Sequence, residues 1–283
     1  MIAESLSTER YELAEGPVWD PLAERLLWVD IPTGRVLEGR WRDGGLRVER
    51  THTLPGTVGA AVPGADGSIA VAARHGFAVI GPEVTMGPRV LPEGAASRFN
   101  DGKCDPAGRF LAGSMALDDR TGGERLYRLE PDGTAVVVAG GLTLSNGLGW
   151  SPDGGTMYHV DSVPGVVWAR PYDVETGRVG PGRVLTTVTG GLPDGLAVDA
   201  GGDLWLAVHG AGEVRRISPA GRPLGTVRVP APKPTSVAFA GTTLVVTTAG
   251  DGLFAVEAGI GGVPATPWAP LGPARADGWR AVP

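Results

Sequence analysis

The sequence predicts an all-β protein, a six-bladed β-propeller with four-stranded antiparallel blades. Three observations support this fold class: abundant Gly and Pro, a sequence repeat, and turn dipeptides between short apolar runs. The chain has 46 Gly and 25 Pro among its 283 residues. After the first 15 residues, the longest stretch without either runs from Leu22 to Ile31, which is shorter than an average helix. Helical architectures are therefore excluded.

The composition limits both the class of protein and its partners. An apolar fraction of 42% is enough for a large core, so the Gly and Pro content does not indicate disorder. The net charge of -6, with scattered Lys and Arg, offers no footprint for nucleic acid or an anionic membrane. The sequence has no apolar run of membrane-spanning length, its first residues lack signal-peptide features, and its one cysteine suits a reducing compartment. We expect a cytoplasmic monomer or weak homo-oligomer that binds a small molecule.

Six segments of the chain share one pattern: an apolar strand, a polar turn five residues after a fixed reference position, and a second apolar strand. The reference positions recur at spacings of 41 to 48 residues. Further strand-like runs, such as 125–129 and 135–138, bring each unit to about four strands. This period and strand content are typical of a β-propeller blade. The six reference positions are Glu15, Val58, Asn100, Asn146, Asp194 and Thr235.

Turn chemistry and chain ends complete the predicted ring. Eight Asp-Gly pairs, among them Asp66-Gly67, Asp132-Gly133 and Asp153-Gly154, are expected to form hairpin turns. The segment from Arg10 to Leu13 is expected to add a strand to the last blade and cover its edge. No linker or charge run divides the chain, so residues 1–283 are expected to form a single domain. A β-sandwich or a two-domain β protein is the alternative that short strands and many turns leave open.

The reference position carries the predicted chemistry. The first strand of each blade lines the central channel, so these positions converge on the axis. Four of the six are Glu, Asn or Asp, which are seldom buried unless they are paired or bind a cation. Oxygen ligands without His or Cys favour a hard cation, calcium first, with magnesium, manganese or zinc as alternatives. The competing interpretation is local, because Asn146-Gly147 and Asp194-Gly195 are favoured turn dipeptides. The shared offset of all four residues favours the metal site.

Other chemistry has little support in the sequence. No G-x-S-x-G, G-x-G-x-x-G, P-loop or H-E-x-x-H motif occurs. The four His lack ligand-like spacing and are interpreted as strand or loop residues, with His209 nearest to a site in register. Cys104 is interpreted as a small buried apolar residue. The eight Trp are assigned to packing between blades, with ligand stacking as the alternative for Trp19 and Trp150.

Several motifs, in order along the chain, match a known family. The sequence resembles the SMP-30/gluconolactonase/LRE-like family over nearly its whole length. That resemblance implies a six-bladed propeller and hydrolysis of sugar lactones. The matching segments are AEGPVWD at 14–20, LLWVDI at 26–31, RFNDGKCDPAGRFLAGSM at 98–115, SNGLGWSPDG at 145–154, GLPDGLAVDAGGDLWLA at 191–207, PTSVAF at 234–239 and GLFAVEAGIGGVPATPWA at 252–269.

The resemblance also implies roles for individual residues. Glu15, Asn146 and Asp194 match the family's metal ligands, and the Asp is also its proposed general base. The Asn of the R-x-N-D-G motif, beside metal and substrate in the family, matches Asn100, and its substrate-binding Arg matches Arg98. A further substrate-contacting position falls on Asp118, where some members have Glu, so the substrate preference is open.

These features together predict a metal-dependent hydrolase that opens the ring ester of an aldonolactone such as gluconolactone to the aldonic acid. A divalent cation stabilises the oxyanion that forms when water attacks the carbonyl. Two routes for activating that water stay open, Asp194 as base or a metal-activated hydroxide. Two other functions also stay open: an organophosphate or aryl-ester hydrolase with the same metal site, and a non-catalytic calcium-binding propeller. Arg98 beside Asn100 favours an enzyme, because metal storage needs no substrate pocket.

Overall fold

The computed structural model describes residues 1–42, 44–270 and 279–282, and it arranges them as six antiparallel sheets in a ring. This confirms the predicted six-bladed β-propeller. The described residues form strands, turns and loops and contain no helix. This part of the chain therefore has no helix that could span a bilayer.

The first half of the chain builds the first three blades. Its strands are β1 (Glu4–Ser5), β2 (Ala14–Asp20), β3 (Arg25–Asp30), β4 (Arg35–Arg42), β5 (Gly45–Thr53), β6 (Val58–Pro63), β7 (Ile69–Ala73), β8 (Gly76–Ile80), β9 (Val84–Arg89), β10 (Ser97–Cys104), β11 (Phe110–Ala116), β12 (Glu124–Leu129) and β13 (Ala135–Leu142). Blade one contains β2 to β5, blade two β6 to β9 and blade three β10 to β13.

The second half builds the other three blades. Its strands are β14 (Ser145–Trp150), β15 (Thr156–Asp161), β16 (Val166–Asp173), β17 (Arg178–Val179), β18 (Arg183–Thr187), β19 (Leu192–Val198), β20 (Leu204–His209), β21 (Glu213–Ile217), β22 (Pro223–Arg228), β23 (Pro234–Ala240), β24 (Thr243–Thr248), β25 (Phe254–Glu257) and β26 (Arg280–Val282). Blade four contains β14 to β18, blade five β19 to β22 and blade six β23 to β25.

The beginning of the chain closes the ring, but through a different segment from the one predicted. Strand β1 pairs with β25 and supplies the fourth strand of blade six, with Glu4 opposite Ala255. The prediction that Arg10 to Leu13 forms this strand is wrong. That segment instead leads into β2, and its Tyr11 is a buried core residue beside Trp28. Strand β26 adds a fifth strand to blade two by pairing with β9.

The Asp-Gly prediction is confirmed at some pairs and wrong at others. Asp66-Gly67, Asp132-Gly133 and Asp153-Gly154 form turns, and each glycine has a positive φ of 74° to 86°. Asp101-Gly102 and Asp194-Gly195 lie inside β10 and β19, so they are not hairpin turns. These two pairs stand at or beside a reference position, where the chain is entering an inner strand rather than leaving one.

Two further pairs fall partly or wholly outside the described residues. Of the pair Asp43-Gly44, only Gly44 is among the described residues. The pair Asp277-Gly278 lies entirely outside.

The core lies between neighbouring sheets. Phe77 of blade two contacts two aromatic rings of blade three, with ring centroids 5.1 Å from Phe99 and 5.5 Å from Phe110. All three side chains are almost completely buried. Trp28 and Trp205 are also fully buried, which supports the assignment of most Trp to packing. Adjacent blades therefore hold one another in place through apolar contacts.

Each inner strand departs from regular pairing at its reference position. The register between the first two strands of a blade shifts at Glu15, Val58 and Asn146, and directly beside the reference positions in the other three blades. A bulge of this kind bends a strand and changes the direction of a side chain. All six irregularities fall at one level of the ring, so the reference side chains are re-aimed together.

Glycine after the reference position lets the inner strands approach one another closely. A Cβ atom on Gly59 would lie 2.1 Å from the carbonyl oxygen of Asn100, and one on Gly147 would lie 2.5 Å from that of Asp194. Both contacts are with the backbone of the next inner strand. A larger residue would therefore widen the ring where the reference side chains meet.

We predict that Gly59→Ala lowers the free energy of unfolding by about 1–3 kcal/mol, because the added methyl group collides with the backbone of blade three. Urea denaturation measures this change. The matched control is Gly225→Ala on the exposed strand β22, where a Cβ atom meets nothing within 4 Å and the expected change is below about 0.5 kcal/mol. Equal effects of the two substitutions would contradict the close-approach argument.

Candidate active site

Four reference side chains meet in the channel, at the end of the ring where the inner strands begin. Glu15 is in β2, Asn100 in β10, Asn146 in β14 and Asp194 in β19. All four are buried, with exposed fractions of 4% to 8%. The structure thus brings together oxygen-bearing groups from four separate blades.

A chain of side-chain hydrogen bonds joins the amides. Arg98 donates to Asn100 Oδ1 at 2.8 Å, and Asn100 Nδ2 donates to Asn146 Oδ1 at 2.9 Å. Asn100 Nδ2 also reaches the carbonyl oxygen of Ser145 at 3.0 Å. Asn146 Nδ2 donates to Ser162 Oγ at 2.9 Å, which fixes the orientation of its amide. Because Nδ2 is held by Ser162, Asn146 presents Oδ1 to the cluster.

The two reference carboxyl groups come from blades one and five and lie close enough to each other to share a proton. Burial raises the pKa of Glu15 to about 8, and the nearby charge of Asp101 adds to this shift. Burial and then the charge of Glu15 raise the pKa of Asp194 well above its usual range. Asp194 Oδ1 is buried and has no hydrogen-bond partner in the described part of the chain. Two buried carboxyl groups in contact are stable only with a shared proton or a bound cation.

These residues fit a hard divalent cation. The donors are carboxyl and amide oxygens, which such cations prefer, and one buried carboxyl oxygen lacks a partner. Within residues 1–42, 44–270 and 279–282, no group of three or more His, Cys, Asp or Glu side chains is arranged as a metal cluster. The candidate set has two carboxyl groups, and its third oxygen comes from the amide of Asn146.

Arg98 is the cation beside this cluster. It lies in β10, partly buried, rather than in a solvated loop, and it also donates to the carbonyl oxygen of Phe99 at 2.9 Å. Burial lowers its pKa to about 10, while the charges of Glu15 and Asp194 act in the opposite direction. The guanidinium therefore stays protonated at neutral pH, next to the two carboxyl groups.

Asp118 is outside the cluster. Its carboxylate is exposed and accepts two hydrogen bonds from Arg120, at 2.8 and 2.7 Å. Arg120 also pairs with Glu124 at 2.7 Å, so Asp118 belongs to an ion-pair network at the rim of blade three. Among the described residues, no hydrogen bond or ion pair joins it to the other predicted site residues.

The remaining reference positions have structural roles. Thr235 is fully buried, and its hydroxyl donates to the carbonyl oxygen of Ala14 at 2.5 Å. This bond ties blade six to blade one at the point of ring closure. Val58 packs in the core between blades one and two.

Sequence reasoning missed three residues that shape the site. Asp101 is buried beside the cluster and raises the pKa of both Glu15 and Asp194. Ser162 orients Asn146, and Lys103 donates to the carbonyl oxygen of Leu196 at 2.7 Å just below the cluster. The signal for Asp101 was its place in the R-x-N-D-G motif, immediately after a reference position. Ser162 ends the repeat segment that begins at Asn146, but none of the other segments ends in a serine, so no comparable signal points to it.

Comparison with known proteins fits this fold and residue pattern. The family model for the SMP-30/Gluconolactonase/LRE-like region matches residues 13–250. The chain belongs to the SMP-30/gluconolactonase/LRE-like family. It is 36% identical to the regucalcin of Xenopus laevis over 265 residues, which covers 88% of this chain and 87% of the relative. It is 38% identical over 255 residues to the 6-deoxy-6-sulfogluconolactonase of Pseudomonas putida, covering 87% and 86% of the two chains.

Among solved structures, the calcium-binding protein regucalcin of Agrobacterium tumefaciens superposes on this family member with a TM-score of 0.84. The two are 26% identical, and the match covers 95% of this chain and 96% of the other. At this coverage, the structural match extends over all six blades.

A buried histidine lies directly behind the amide chain. His159 is completely buried in β15, and its Nε2 shares a hydrogen bond of 2.8 Å with Ser145 Oγ. Its Nδ1 has no partner in the described part of the chain. Burial lowers the pKa of His159 to about 3, and the charge of Arg170 contributes. The folded protein therefore holds this imidazole neutral.

We predict that His159→Gln weakens the dependence of stability on pH. In the unfolded chain the pKa of this histidine is near 6.5, whereas in the folded chain it is about 3. Between these two pH values the histidine is protonated in the unfolded chain and neutral in the folded chain. Stability is thus fully present above pH 6.5 and is lost at about 1.4 kcal/mol per unit below it. Urea denaturation gives the free energy of unfolding at pH 7 and at pH 5. The decrease between the two pH values should be ~2 kcal/mol smaller in the variant than in the wild type. Parallel pH profiles would contradict a neutral buried His159.

Proposed function

We propose that this chain is a lactone hydrolase that uses a divalent cation, calcium in the first place, to open the ring ester of a sugar lactone. One observation carries the proposal: two buried carboxyl groups and an amide oxygen meet on the channel axis, beside a guanidinium. Family membership and the lactonase relative support the reaction class. The calcium-binding structural relative supports the cation.

Glu15, Asn146 and Asp194 would hold the cation. Bound there, it supplies Lewis-acid polarisation of the lactone carbonyl. Arg98 and Asn100 contribute a positive charge and an amide beside the same place. Their part is to hydrogen-bond the oxygens of the lactone and to fix its position against the attacking water. Asn100 already uses both ends of its amide within the cluster, so it reaches the substrate only by exchanging one of these bonds.

Asp194 is the proposed general base. Its Oδ1 is buried without a partner, so one oxygen is free to accept a proton from water. The water oxygen bonds to the carbonyl carbon, and the bond from that carbon to the ring oxygen breaks. The proton taken by Asp194 passes to the released ring oxygen, which becomes the hydroxyl of the hydroxy acid. The reaction consumes one water and leaves the protein unchanged.

Asp118 is proposed to select the substrate from the rim. It lies outside the buried cluster, and its carboxylate is exposed and held by Arg120. A carboxylate at the rim meets the hydroxyl groups of a sugar ring rather than the scissile ester. Substrate preference is therefore expected to depend on Asp118 more than the rate of chemistry does.

We propose that residues 1–283 form one domain. Both described ends of the chain support this, since β1 completes blade six and β26 pairs with β9 in blade two. Each end is thereby part of a blade of the same ring.

We predict that Asp194→Asn and Glu15→Gln each lower kcat/KM for glucono-1,5-lactone at least ~1000-fold, after subtraction of the spontaneous reaction. Both variants should melt at the wild-type temperature or above it without metal, because each removes one of two buried carboxyl groups in contact. A pH indicator follows acid release, and chelator treatment followed by calcium should abolish and restore the wild-type activity. Asp132→Asn, at an exposed turn, is the matched control.

Activity within tenfold of wild type in both site variants would contradict the proposed site. Calcium binding without turnover of any lactone would instead identify a non-catalytic calcium-binding propeller. Faster turnover of a phosphotriester or an aryl ester than of sugar lactones would identify the other hydrolase.

We also predict that Ser162→Ala weakens calcium binding about tenfold, because the Asn146 amide loses the partner that holds Oδ1 towards the cluster. Calorimetric titration with calcium measures this affinity directly. Ser162→Thr keeps the hydroxyl group and should bind calcium nearly as wild type does. Ser218→Ala, at another buried serine in blade five, is the control. Unchanged affinity in Ser162→Ala would show that the amide is oriented by other contacts.

A further inference from the structure

Exposed apolar side chains flank one side of the mouth of the candidate active site. Leu117, Val163 and Leu192 are 50%, 51% and 43% exposed. Leu117 directly follows β11 in blade three, Val163 lies in the turn after β15 in blade four, and Leu192 begins β19 in blade five. These blades are neighbours in the ring, and all three positions are at the end where the inner strands begin. This apolar surface is thus on the active-site side of the protein.

Two half-buried residues continue this surface between blades three and four. Met115 stands opposite Arg98 in the pairing of β10 with β11, so the two side chains lie on the same face of blade three. Met115 also bridges to Leu144, in the loop that enters blade four. The carbonyl oxygen of Leu144 accepts a hydrogen bond of 3.0 Å from Ser162 N, and Val163 is the next residue. The apolar residues of blades three and four are therefore adjacent.

The same residues lie beside the candidate metal ligands. Ser162, which precedes Val163, accepts a hydrogen bond from Asn146 Nδ2 at 2.9 Å. Leu192 is two residues before Asp194 in β19, which is about 7 Å along the strand. The surface is thus continuous with the buried cluster. The five side chains that form it are called the apolar arc: Met115, Leu117, Leu144, Val163 and Leu192.

The apolar arc differs from the other exposed apolar residues. In the described part of the chain, seven further large apolar side chains are exposed, and they are dispersed. They lie at the chain start, in the turn after β2 and on the outer strands of three blades: Met1, Ile2, Leu22, Val136, Val137, Val184 and Leu224. Single exposed apolar residues are common on protein surfaces, whereas a contiguous group at a cleft is typical of a ligand contact. The arc has the location and continuity of such a contact.

The other side of the mouth carries charged groups. Arg74, in the turn after β7, is exposed, and its carbonyl oxygen accepts a hydrogen bond from Phe99 N at 3.1 Å. Lys233, directly before β23, is also exposed, and its carbonyl oxygen accepts from Ala249 N at 2.9 Å. A ligand at the mouth therefore meets cations from blades two and six on one side and the apolar arc on the other.

We propose that the apolar arc binds an apolar substituent of the substrate, so that the preferred substrate is a lactone whose ring carries an alkyl or aryl group. This inference rests on the proposed lactone hydrolysis and adds the substrate class. With the ring ester at the buried cluster, the substituent lies against blades three to five and leaves water on binding. Hydroxyl groups elsewhere on the ring meet Asp118 and the charged side of the mouth.

The test compares γ-butyrolactone with γ-octanolactone, which have the same ring ester and differ by a butyl chain. A pH indicator follows acid release by the full-length protein with calcium, and the readout is the ratio of kcat/KM for octanolactone to that for butyrolactone. A fully buried methylene group contributes about a fourfold preference, so partial burial of the chain predicts a ratio of at least ~10. Leu117→Ser, Val163→Ser and Leu192→Ser should each lower this ratio at least ~threefold.

Matched controls substitute exposed apolar residues outside the arc. Val184→Ser in β18 and Leu224→Ser in β22 change side chains that are 49% and 51% exposed, close to the exposure of Val163 and Leu117. Both variants should keep the wild-type ratio within about twofold. Leu117→Met keeps an apolar side chain in the arc and should also keep the ratio.

The binding of lactams separates this inference from the proposed reaction. In 2-pyrrolidinone and 5-butyl-2-pyrrolidinone an amide replaces the ester of the two lactones, so these compounds report affinity without hydrolysis. NMR titration of the ¹⁵N-labelled protein with calcium should show at least ~tenfold tighter binding of the butyl compound, and the three serine variants should lose most of this difference. The same result without turnover of any lactone would support the arc and contradict the proposed hydrolysis.

Three results would overturn the inference while lactone hydrolysis stands. One is equal binding of the two lactams by a protein that hydrolyses glucono-1,5-lactone. Another is an equal loss of the ratio in the arc variants and in the two controls, which would show that the arc has no special part. The third is a concentration-dependent dimer in sedimentation experiments that Leu117→Ser dissociates, which would assign the arc to a contact between two copies of this chain.

Discussion

The close approach of six inner strands around one axis is the constraint on which the rest of the structure depends. At Gly59 and Gly147, neighbouring inner strands lie too close together for a Cβ atom to fit between them. The bulges at the same level turn the reference side chains together. The result is a narrow channel in which the carboxyl groups of blades one and five lie close together and are shielded from water. Without a bound cation, two buried carboxylates this close together destabilise the folded protein.

That cost is what makes the cluster suitable for chemistry. Glu15 and Asp194 repel one another when both are ionised, and burial increases the repulsion. A cation converts the same two groups from a source of instability into ligands, and Arg98 already supplies one fixed positive charge nearby. Ser162 and Ser145 hold the amides in orientations that leave carbonyl oxygens facing the cluster. The site is thus prepared by the fold before any ligand arrives.

Much of the architecture could be predicted from the sequence, because each blade of the propeller repeats the same strand pattern and the pattern therefore recurs six times. The spacing of Glu15, Asn100, Asn146 and Asp194 identified one level of the ring, and the structure places all four there. The errors came from local signals that tertiary structure overrides. Asp194-Gly195 has the composition of a turn, but here the glycine serves close packing in a strand. Strand β1 is only two residues long, too short for a periodic pattern, so the closing segment could not be located. Ser162 has no serine counterpart in the other repeat segments, and its role depends on a contact that only folding creates.

The central claim is a cation bound between the carboxyl groups of blades one and five, and a crystal structure of the protein grown with calcium tests this most directly. Anomalous scattering measured near the calcium edge should show one strong peak on the channel axis. The account predicts carboxylate oxygens of Glu15 and Asp194 and the Oδ1 of Asn146 at about 2.3–2.6 Å from that peak. A channel without a peak in saturating calcium, with the carboxyl groups of Glu15 and Asp194 in direct contact and no ion between them, would contradict this claim.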